Sequence, residues 1–258
     1  MYKFLQTILI ALFCLGCMTE EKESNVEKIA SIEKKENTAT MAVMRDADWW
    51  KERHQSILSK LDTNAELILV GNSIFQTLDK EDREEVWENY LDKYHAINMG
   101  ISGDRTENVI WRLKNGLLEN INPKVAILLI GTNNTDGNHF LQISTSEELA
   151  EGIWEICSIL HEKLPNTQII LMGILPYGYK PNHRDNINKA TNELIAKFPA
   201  KNPAIHYVNI GSVYYDKDDK VRQDLMPDYL HPNAQGHLIM FEALEQDIAK
   251  LMLKSNSL

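Results

Sequence analysis

The chain contains 258 residues, with 27 basic and 37 acidic side chains, a formal net charge of −10 and 43% hydrophobic residues. This acidity argues against nucleic acid as the main partner, because phosphate binding needs a basic face. A mean hydropathy of −0.33 excludes a protein with several membrane spans. The length fits the core of a single α/β domain.

Residues 1–16 are predicted to be a signal peptide. An apolar stretch from Phe4 to Gly16 follows the single cation Lys3 and is too short to span a bilayer. The run Cys14-Leu15-Gly16-Cys17 resembles a bacterial lipobox, although Cys14 stands where that pattern usually has Leu. The resemblance implies a lipid on Cys17 and a place in the bacterial cell envelope, anchored to a membrane with the domain outside the cytoplasm. An ordinary cleaved signal and an uncleaved anchor are the alternatives.

Residues 17–45 are predicted to form a flexible charged tether. From Met18 to Met44 the sequence has no aromatic residue, no Gly and no Pro, and it is rich in Glu and Lys. Such a segment buries too little apolar area to offset its ordering entropy. The alternative is a solvated helix, because Glu/Lys pairs support helices. The folded domain is expected over residues 46–258, beginning where Trp49 and Trp50 appear.

From Leu67 onward, apolar runs of strand length alternate with amphipathic stretches. The predicted strands are Leu67–Gly71, His95–Gly100, Val125–Gly131, Gln168–Pro176 and Ile205–Ile210. The predicted helices are Asp79–Tyr90, Thr106–Asn115, Ser146–Leu164, Asp185–Phe198 and Asn233–Leu253. This alternation predicts an α/β fold with a parallel sheet and helices on both faces. Ligands of such sheets bind beyond the carboxyl ends of the strands.

The ends of the first three predicted strands carry residues suited to binding at that edge. Ser73 comes after the first strand, Gly100 ends the second with Gly103 shortly after it, and Asn133 follows the third. Taken singly, each of these segments is more typical of a turn. Together they offer a hydroxyl, backbone N–H groups that can approach a ligand closely, and a side-chain amide donor.

The segment Asp228-Tyr229-Leu230-His231-Pro232 precedes the last predicted helix. Pro232 favours an extended conformation at His231, which keeps the imidazole in the loop. A carboxylate three residues earlier can accept the Nδ1–H and leave Nε2 free as a base. A serine hydroxyl needs such a base and a set of oxyanion donors before it becomes a nucleophile. The order Ser73, Asp228, His231 therefore predicts serine hydrolase chemistry, although no G-x-S-x-G motif is present.

The chain resembles the SGNH or GDSL hydrolases over about Leu67 to Leu253, and among them the branch of the platelet-activating-factor acetylhydrolase catalytic subunits. The motifs that carry the resemblance are Val-Gly-Asn-Ser-Ile (70–74), Asn-Met-Gly-Ile-Ser-Gly-Asp (98–104), Trp-Arg-Leu-Lys-Asn-Gly (111–116), Gly-Thr-Asn-Asn (131–134) and Asp-Tyr-Leu-His (228–231). The resemblance implies a flavodoxin-like three-layer α/β/α sandwich with a five-stranded parallel sheet.

The same resemblance implies roles for individual residues. Ser73 would be the nucleophile, His231 the base and Asp228 its partner. Backbone N–H groups of Ser73 and Gly103 and the side chain of Asn133 would form the oxyanion hole, and no metal or cofactor is expected. The positions that crowd the acyl pocket in this branch are occupied here by Ile74, Thr132 and Leu230. Two departures are Asn72, where the family usually has Asp, and Ser102, where this branch tends to have Gly.

The leading hypothesis is a serine esterase that hydrolyses acetyl or other short esters of a small acylated carbohydrate or lipid. A lysophospholipase or lipase activity on longer chains is an alternative within the same class. A catalytically silent ligand-binding module on the same fold is an alternative from another class. A flavodoxin-like electron carrier is disfavoured, because the loop after the first strand has too few hydroxyl groups to bind a phosphate.

Overall fold

Five parallel strands form the centre of the fold in the computed structural model, which describes residues 36–254. They are β1 (Leu67–Gly71), β2 (Ile97–Asn98), β3 (Val125–Leu129), β4 (Gln168–Met172) and β5 (Ile205–Val208). Their order across the sheet is β2-β1-β3-β4-β5. β2 therefore lies on one side of β1, and β3 and the later strands lie on the other, so the order of the strands changes direction at β1. At such a reversal the loops after the two strands diverge and leave a crevice at the carboxyl edge.

Helices cover both faces of this sheet. They are α1 (Asp48–Leu58), α2 (Ser73–Gln76), α3 (Glu84–Val86), α4 (Thr106–Lys114), α5 (Ser146–Lys163), α6 (His183–Ile195) and α7 (Ala234–Lys254). Alternate residues of β1 belong to two separate hydrophobic clusters. Ile68 and Val70 pack with α1, α4 and α5 on one face, whereas Leu67 and Leu69 pack with α7 on the other. The predicted three-layer α/β/α sandwich with a five-stranded parallel sheet is confirmed.

The segment predicted as one helix over Asp79–Tyr90 is instead a series of short turns. It contains a 3₁₀ turn at Glu81–Arg83, the short helix α3 and a π-helical turn at Trp87–Leu91. Lys80 is extended, with φ −77° and ψ 146°, and interrupts the helical hydrogen bonds. Val86 and Leu91 pack into the core, but the backbone of the segment is not one regular helix, so the helix prediction is wrong here.

The packed domain begins earlier than the sequence predicted. A 3₁₀ turn spans Thr38–Thr40, and the Ala39 side chain within it is fully buried. The Val43 N–H donates to the Glu107 carbonyl at 3.0 Å, so the chain is fixed along α4. The tether predicted over 17–45 is therefore wrong for residues 38–45, because local composition did not reveal these tertiary contacts. The predictions for Cys17 and the signal segment fall outside the described residues.

None of the helices within residues 36–254 has both the length and the apolar character needed to cross a membrane.

Candidate active site

Ser73 is the first residue of α2 and follows β1 after a single turn residue. That residue, Asn72, caps the helix, since its Oδ1 accepts the Ile74 N–H at 3.0 Å. The loop after β2 approaches this turn closely at Gly100. A Cβ at Gly100 would lie 2.5 Å from the backbone nitrogen of Gln76 and 2.7 Å from the backbone carbonyl oxygen of Asn72, so only glycine fits. Asn72 therefore caps the helix that carries Ser73 with a neutral side chain.

A chain of hydrogen bonds connects Ser73, His231 and Asp228. The Ser73 Oγ lies 2.8 Å from the His231 Nε2, and the His231 Nδ1 lies 2.6 Å from the Asp228 Oδ2. The other carboxylate oxygen of Asp228 accepts the backbone N–H groups of His231 at 2.7 Å and Leu230 at 3.1 Å. In this geometry the imidazole can take the serine proton at Nε2 while Nδ1–H stays bonded to the carboxylate. The sequence-predicted trio is thus brought together.

The Asp228 carboxyl is partly exposed, with 57% of its side chain accessible. Its partial burial alone would raise its pKa, but the hydrogen bonds from His231 and Leu230 and the nearby His231 charge outweigh this effect. The pKa of Asp228 is therefore below its ordinary value. The Asp228 carboxylate thus stays ionised at neutral pH, as the partner of a base must. Tyr229, in the turn between Asp228 and His231, has φ +58°, a conformation uncommon for a bulky residue.

The predicted oxyanion donors lie beside the serine. Gly103 has φ +75°, which L side chains rarely adopt, and the Ser102 N–H donates to the Gln76 Oε1 at 2.6 Å. The Asn133 Nδ2 donates one hydrogen bond to the Asp104 carbonyl at 2.9 Å. An amide nitrogen carries two N–H groups, so this bond orients Asn133 and leaves its second N–H for a substrate oxygen. Gly103 and Asn133 face the same cleft as Ser73.

A buried ion pair lies behind this loop. The Arg112 Nη2 is 2.7 Å from the Asp104 Oδ2, and both side chains are completely inaccessible. The guanidinium also donates to the carbonyls of Met99 at 2.7 Å and Gly71 at 3.3 Å. The Trp50 Nε1 donates to the Asp104 Oδ1 at 2.6 Å. The Arg112 side chain therefore connects the end of β1 with the loop after β2. It also holds Asp104, whose backbone carbonyl accepts the hydrogen bond from the Asn133 side chain.

His237 supports the nucleophile helix from α7. Burial lowers the pKa of His237 to about 4, so the imidazole is neutral at physiological pH. Its Nε2 lies 2.9 Å from the Ile74 carbonyl, and its Nδ1 lies 3.1 Å from the Arg83 Nε, which can only donate. Nε2 is therefore the protonated nitrogen and donates to the residue after Ser73. The sequence indicated a helix residue here but not this contact.

Two of the three residues predicted to crowd the acyl pocket are buried elsewhere. Leu230 lines the cleft as expected. Ile74 is only 2% exposed and packs in the core between the sheet and α7, because the first turn of α2 directs it inward. Thr132 is 3% exposed, and its hydroxyl accepts a hydrogen bond from Arg184 at 3.2 Å. The prediction is corrected for Ile74 and Thr132, neither of which lies on the cleft wall.

The cleft has a volume of about 540 Å³. Its lining residues are Arg45, Ser73, Thr77, Lys80, Ser102, Gly103, Asn133, Asp136, His139, Phe140, Asp228, Leu230 and His231. Four of its charged or titratable residues could not be predicted from the sequence: Arg45 belongs to the segment predicted as a tether, Lys80 to a predicted helix, and Asp136 and His139 had no predicted role. The signal for the last two was their spacing, since Asp136-x-x-His139 repeats that of Asp228 and His231. The His139 Nδ1 lies 2.8 Å from the Asp136 Oδ2.

Residues 69–239 match the GDSL-like lipase/acylhydrolase family. The alpha1 subunit of human platelet-activating factor acetylhydrolase IB is 30% identical over 215 residues, which cover 83% of this chain and 89% of that protein. The rat alpha2 subunit is 32% identical over 210 residues, which cover 81% of this chain and 87% of that protein.

Solved structures with the same fold include a GDSL-like lipase from Bacteroides thetaiotaomicron. It has a TM-score of 0.61 and 19% identity, over 77% of this chain and 97% of that one. A catalytic mutant of an acetylxylan esterase from Geobacillus stearothermophilus has a TM-score of 0.57 and 15% identity, over 73% of this chain and 96% of that one. At these identities the likeness concerns the fold.

Proposed function

Because this chain belongs to the GDSL-like lipase/acylhydrolase family, we propose that it is a serine esterase that removes acetyl and other short acyl groups, with Ser73, His231 and Asp228 as its catalytic triad. The observation that carries the proposal is the unbroken hydrogen-bond chain from the Ser73 hydroxyl to the Asp228 carboxylate, whose three residues all line one cleft. Loss of ester turnover in folded Ser73→Ala and His231→Ala variants is the direct test.

The proposed reaction has two halves. The Ser73 Oγ attacks the acyl carbon and passes its proton to the His231 Nε2, while the N–H groups of Ser73, Gly103 and Asn133 stabilise the oxyanion. When the intermediate collapses, the C–O bond to the alcohol breaks and His231 returns the proton to the leaving oxygen. Water then attacks the acyl-serine with His231 again as base, which releases the acid and regenerates Ser73.

The proposed substrate is a small acylated carbohydrate or a short ester of a lipid. In support, the human relative is a subunit of a platelet-activating factor acetylhydrolase. The protein from Geobacillus stearothermophilus that shares the fold is an acetylxylan esterase. A screen of acetylated sugars and phospholipids, with acetate release as the readout, separates these classes. A silent binding module is disfavoured by the complete set of reactive groups.

Acetyl esters are expected to be turned over faster than longer ones. We place the acyl group against Leu230, which lines the cleft with His231, so that added methylenes would overpack this contact at a cost of about 1–3 kcal/mol. The ratio of kcat/KM for p-nitrophenyl acetate over butyrate should therefore be about 10 to 100, and Leu230→Ala should lower it. Ile74→Val, in the core, serves as the control and should leave the ratio unchanged. Equal turnover of acetate and octanoate by the wild type would favour the lipase or lysophospholipase alternative.

Activity is expected to fall on the acid side of the pH profile. An imidazolium at His231 cannot accept the Ser73 proton, whereas Asp228, whose pKa is depressed, stays ionised over that range. In Asp228→Asn the imidazolium loses its anionic partner, so protonation requires a lower pH and the acid limb should move downward. The measurement is kcat/KM for p-nitrophenyl acetate against pH. An acid limb at the same pH in Asp228→Asn would assign the limb to another group.

We also propose that a lipid on Cys17 anchors the protein in a bacterial envelope. Support comes from the sequence Cys14-Leu15-Gly16-Cys17 alone. Two or more acyl chains bind a membrane stably where one does not. Cys17→Ser should therefore move the protein from the membrane fraction to the soluble fraction or block its processing, whereas Cys14→Leu, which restores the usual lipobox residue, should leave it anchored. Mature Cys17→Ser protein still bound to membranes would contradict lipid anchoring.

A further inference from the structure

We propose that Tyr179 is a positioning residue, which acts on the catalytic base through Tyr229 without touching the substrate. The inference rests on the proposed esterase function, since the group that Tyr179 would position is the imidazole of His231. Tyr229 lies between Asp228 and His231 in the chain, whereas Tyr179 belongs to the β4 loop (residues 176–182), which connects β4 with α6. Neither tyrosine is among the residues that line the catalytic cleft.

The turn from Asp228 to His231 needs support, because Tyr229 has a left-handed backbone conformation. Its φ is +58°, and such a conformation of a bulky residue persists only where the surrounding contacts fix it. Within the turn, the Asp228 Oδ1 accepts the N–H groups of Leu230 and His231. The Tyr229 N–H donates to the Met226 carbonyl at 2.8 Å. These bonds use neither the carbonyl nor the ring of Tyr229.

The β4 loop contacts both of these groups. The Gly178 N–H donates to the Tyr229 carbonyl at 2.9 Å. The rings of Tyr179 and Tyr229 meet edge to face, with 5.5 Å between their centroids and 62° between their planes, which is a favourable arrangement of two aromatic rings. Tyr229 also packs against the hydrophobic cluster that includes residues of α7. The strained residue is therefore held by the core and by the β4 loop.

The β4 loop is itself fixed, so it can support the turn. The Asn182 Nδ2 donates to the carbonyls of Tyr177 and Lys180, both at 2.9 Å. The Tyr177 N–H donates to the Asp185 Oδ1 at 3.0 Å, and Asp185 lies in the first turn of α6. These bonds anchor the loop to the start of that helix. Tyr179 is 54% exposed, so its substitution should leave the hydrophobic core intact.

The first test is Tyr179→Ala, with Tyr179→Phe as the conservative variant. Tyr179→Ala should lower kcat for p-nitrophenyl acetate about 3- to 10-fold, the range that one aromatic contact gives. KM should change little, because the side chain does not line the cleft. Tyr179→Phe keeps the ring and should have the wild-type kcat. Lys180→Ala, at the exposed neighbouring position, serves as the control and should have it too. Wild-type kcat in Tyr179→Ala with an unchanged thermal midpoint would overturn the proposal.

Two substitutions of Tyr229 show whether Tyr179 acts through it. In a Tyr229→Ala background the ring partner is absent, so adding Tyr179→Ala should cause no further loss of kcat. Tyr229→Gly should be about 2- to 5-fold faster than Tyr229→Ala, because glycine adopts a positive φ without the penalty that a side chain incurs. Independent losses that multiply in the double variant, or a Tyr229→Gly variant no faster than Tyr229→Ala, would contradict the assigned role.

A structural readout separates this proposal from the esterase function. If the wild type hydrolyses no ester, the proposed function is wrong, and the tautomer of His231 is then measured from the chemical shifts of its ring nitrogens in the neutral state. The bond to Asp228 requires the Nδ1–H tautomer. We expect that tautomer in the wild type and in Tyr179→Phe, and a mixture with the Nε2–H tautomer in Tyr179→Ala. The same tautomer composition in all three proteins would overturn the proposal.

Discussion

Ser73→Ala and His231→Ala are each expected to lower kcat for p-nitrophenyl acetate by about 10⁴- to 10⁶-fold. The hydroxyl is a weak nucleophile at neutral pH, and the base in contact with it is the His231 Nε2 at 2.8 Å. Since the two groups act as one unit, the double variant should be little slower than either single variant. The residual rate would come from the oxyanion donors and substrate binding, which the substitutions leave in place.

Controls for this result are available in the same chain. Ser59→Ala and His161→Ala alter exposed residues at the end of α1 and on α5, and both variants should retain wild-type turnover. Circular dichroism and the thermal midpoint establish that Ser73→Ala and His231→Ala remain folded. Hydrolysis by folded Ser73→Ala at the wild-type rate would end the serine-esterase proposal. Additive losses in the double variant would mean that the two residues act separately.

The elements that carry the site could be predicted because their sequence signals are local. The buried strands β1 and β3 are continuous apolar runs, and Ser73 and Asn133 follow them within a few residues. Parallel strands bring their carboxyl ends to one edge, so the topology predicts that these residues meet. His231 is held in a loop by the following proline, which is also a local signal.

What escaped prediction depends on tertiary contacts. Arg45 belongs to a stretch whose composition is that of a tether, and only the bonds of Val43 and Arg45 to distant loops fix it. The resemblance places Ile74 at the acyl pocket, yet the orientation of a four-residue helix directs its side chain into the core. Helix α1 was missed although Trp50, His54 and Ile57, its buried residues, have helical spacing.

Arg112 could have been noticed from its position on the buried face of α4, three residues after Val109. A cation on an apolar helix face is uncommon unless it has a partner. The sequence does not identify that partner, because Asp104 is a loop residue whose orientation depends on the whole β2–α4 connection. The structure shows the pair fully buried, with Arg112 also bonded to two backbone carbonyls.

Arg112→Met is therefore expected to reduce the free energy of unfolding by about 3–5 kcal/mol, measured by urea denaturation at pH 7. The substitution keeps most of the side-chain volume but leaves the Asp104 carboxylate buried without its cation. Combining it with Asp104→Asn should restore part of the loss, because no uncompensated charge then remains. On the same helix, Lys114→Met breaks an exposed pair with Glu155 and should cost less than about 1 kcal/mol. Equal costs for Arg112→Met and Lys114→Met would contradict the assigned role.

The pH dependence of the Arg112→Met variant gives an independent test with a definite sign. Burial raises the pKa of Asp104, and in the wild type the Arg112 charge and the Trp50 hydrogen bond oppose that effect. Without Arg112 the folded-state pKa rises further above the unfolded value, so the folded variant takes up a proton that the unfolded chain does not hold. Its unfolding free energy should then increase as the pH falls through this window, and its deficit relative to the wild type should shrink. A deficit that is constant between pH 8 and pH 5 would mean that lost packing and backbone bonds, and not the unpaired carboxylate, account for the instability.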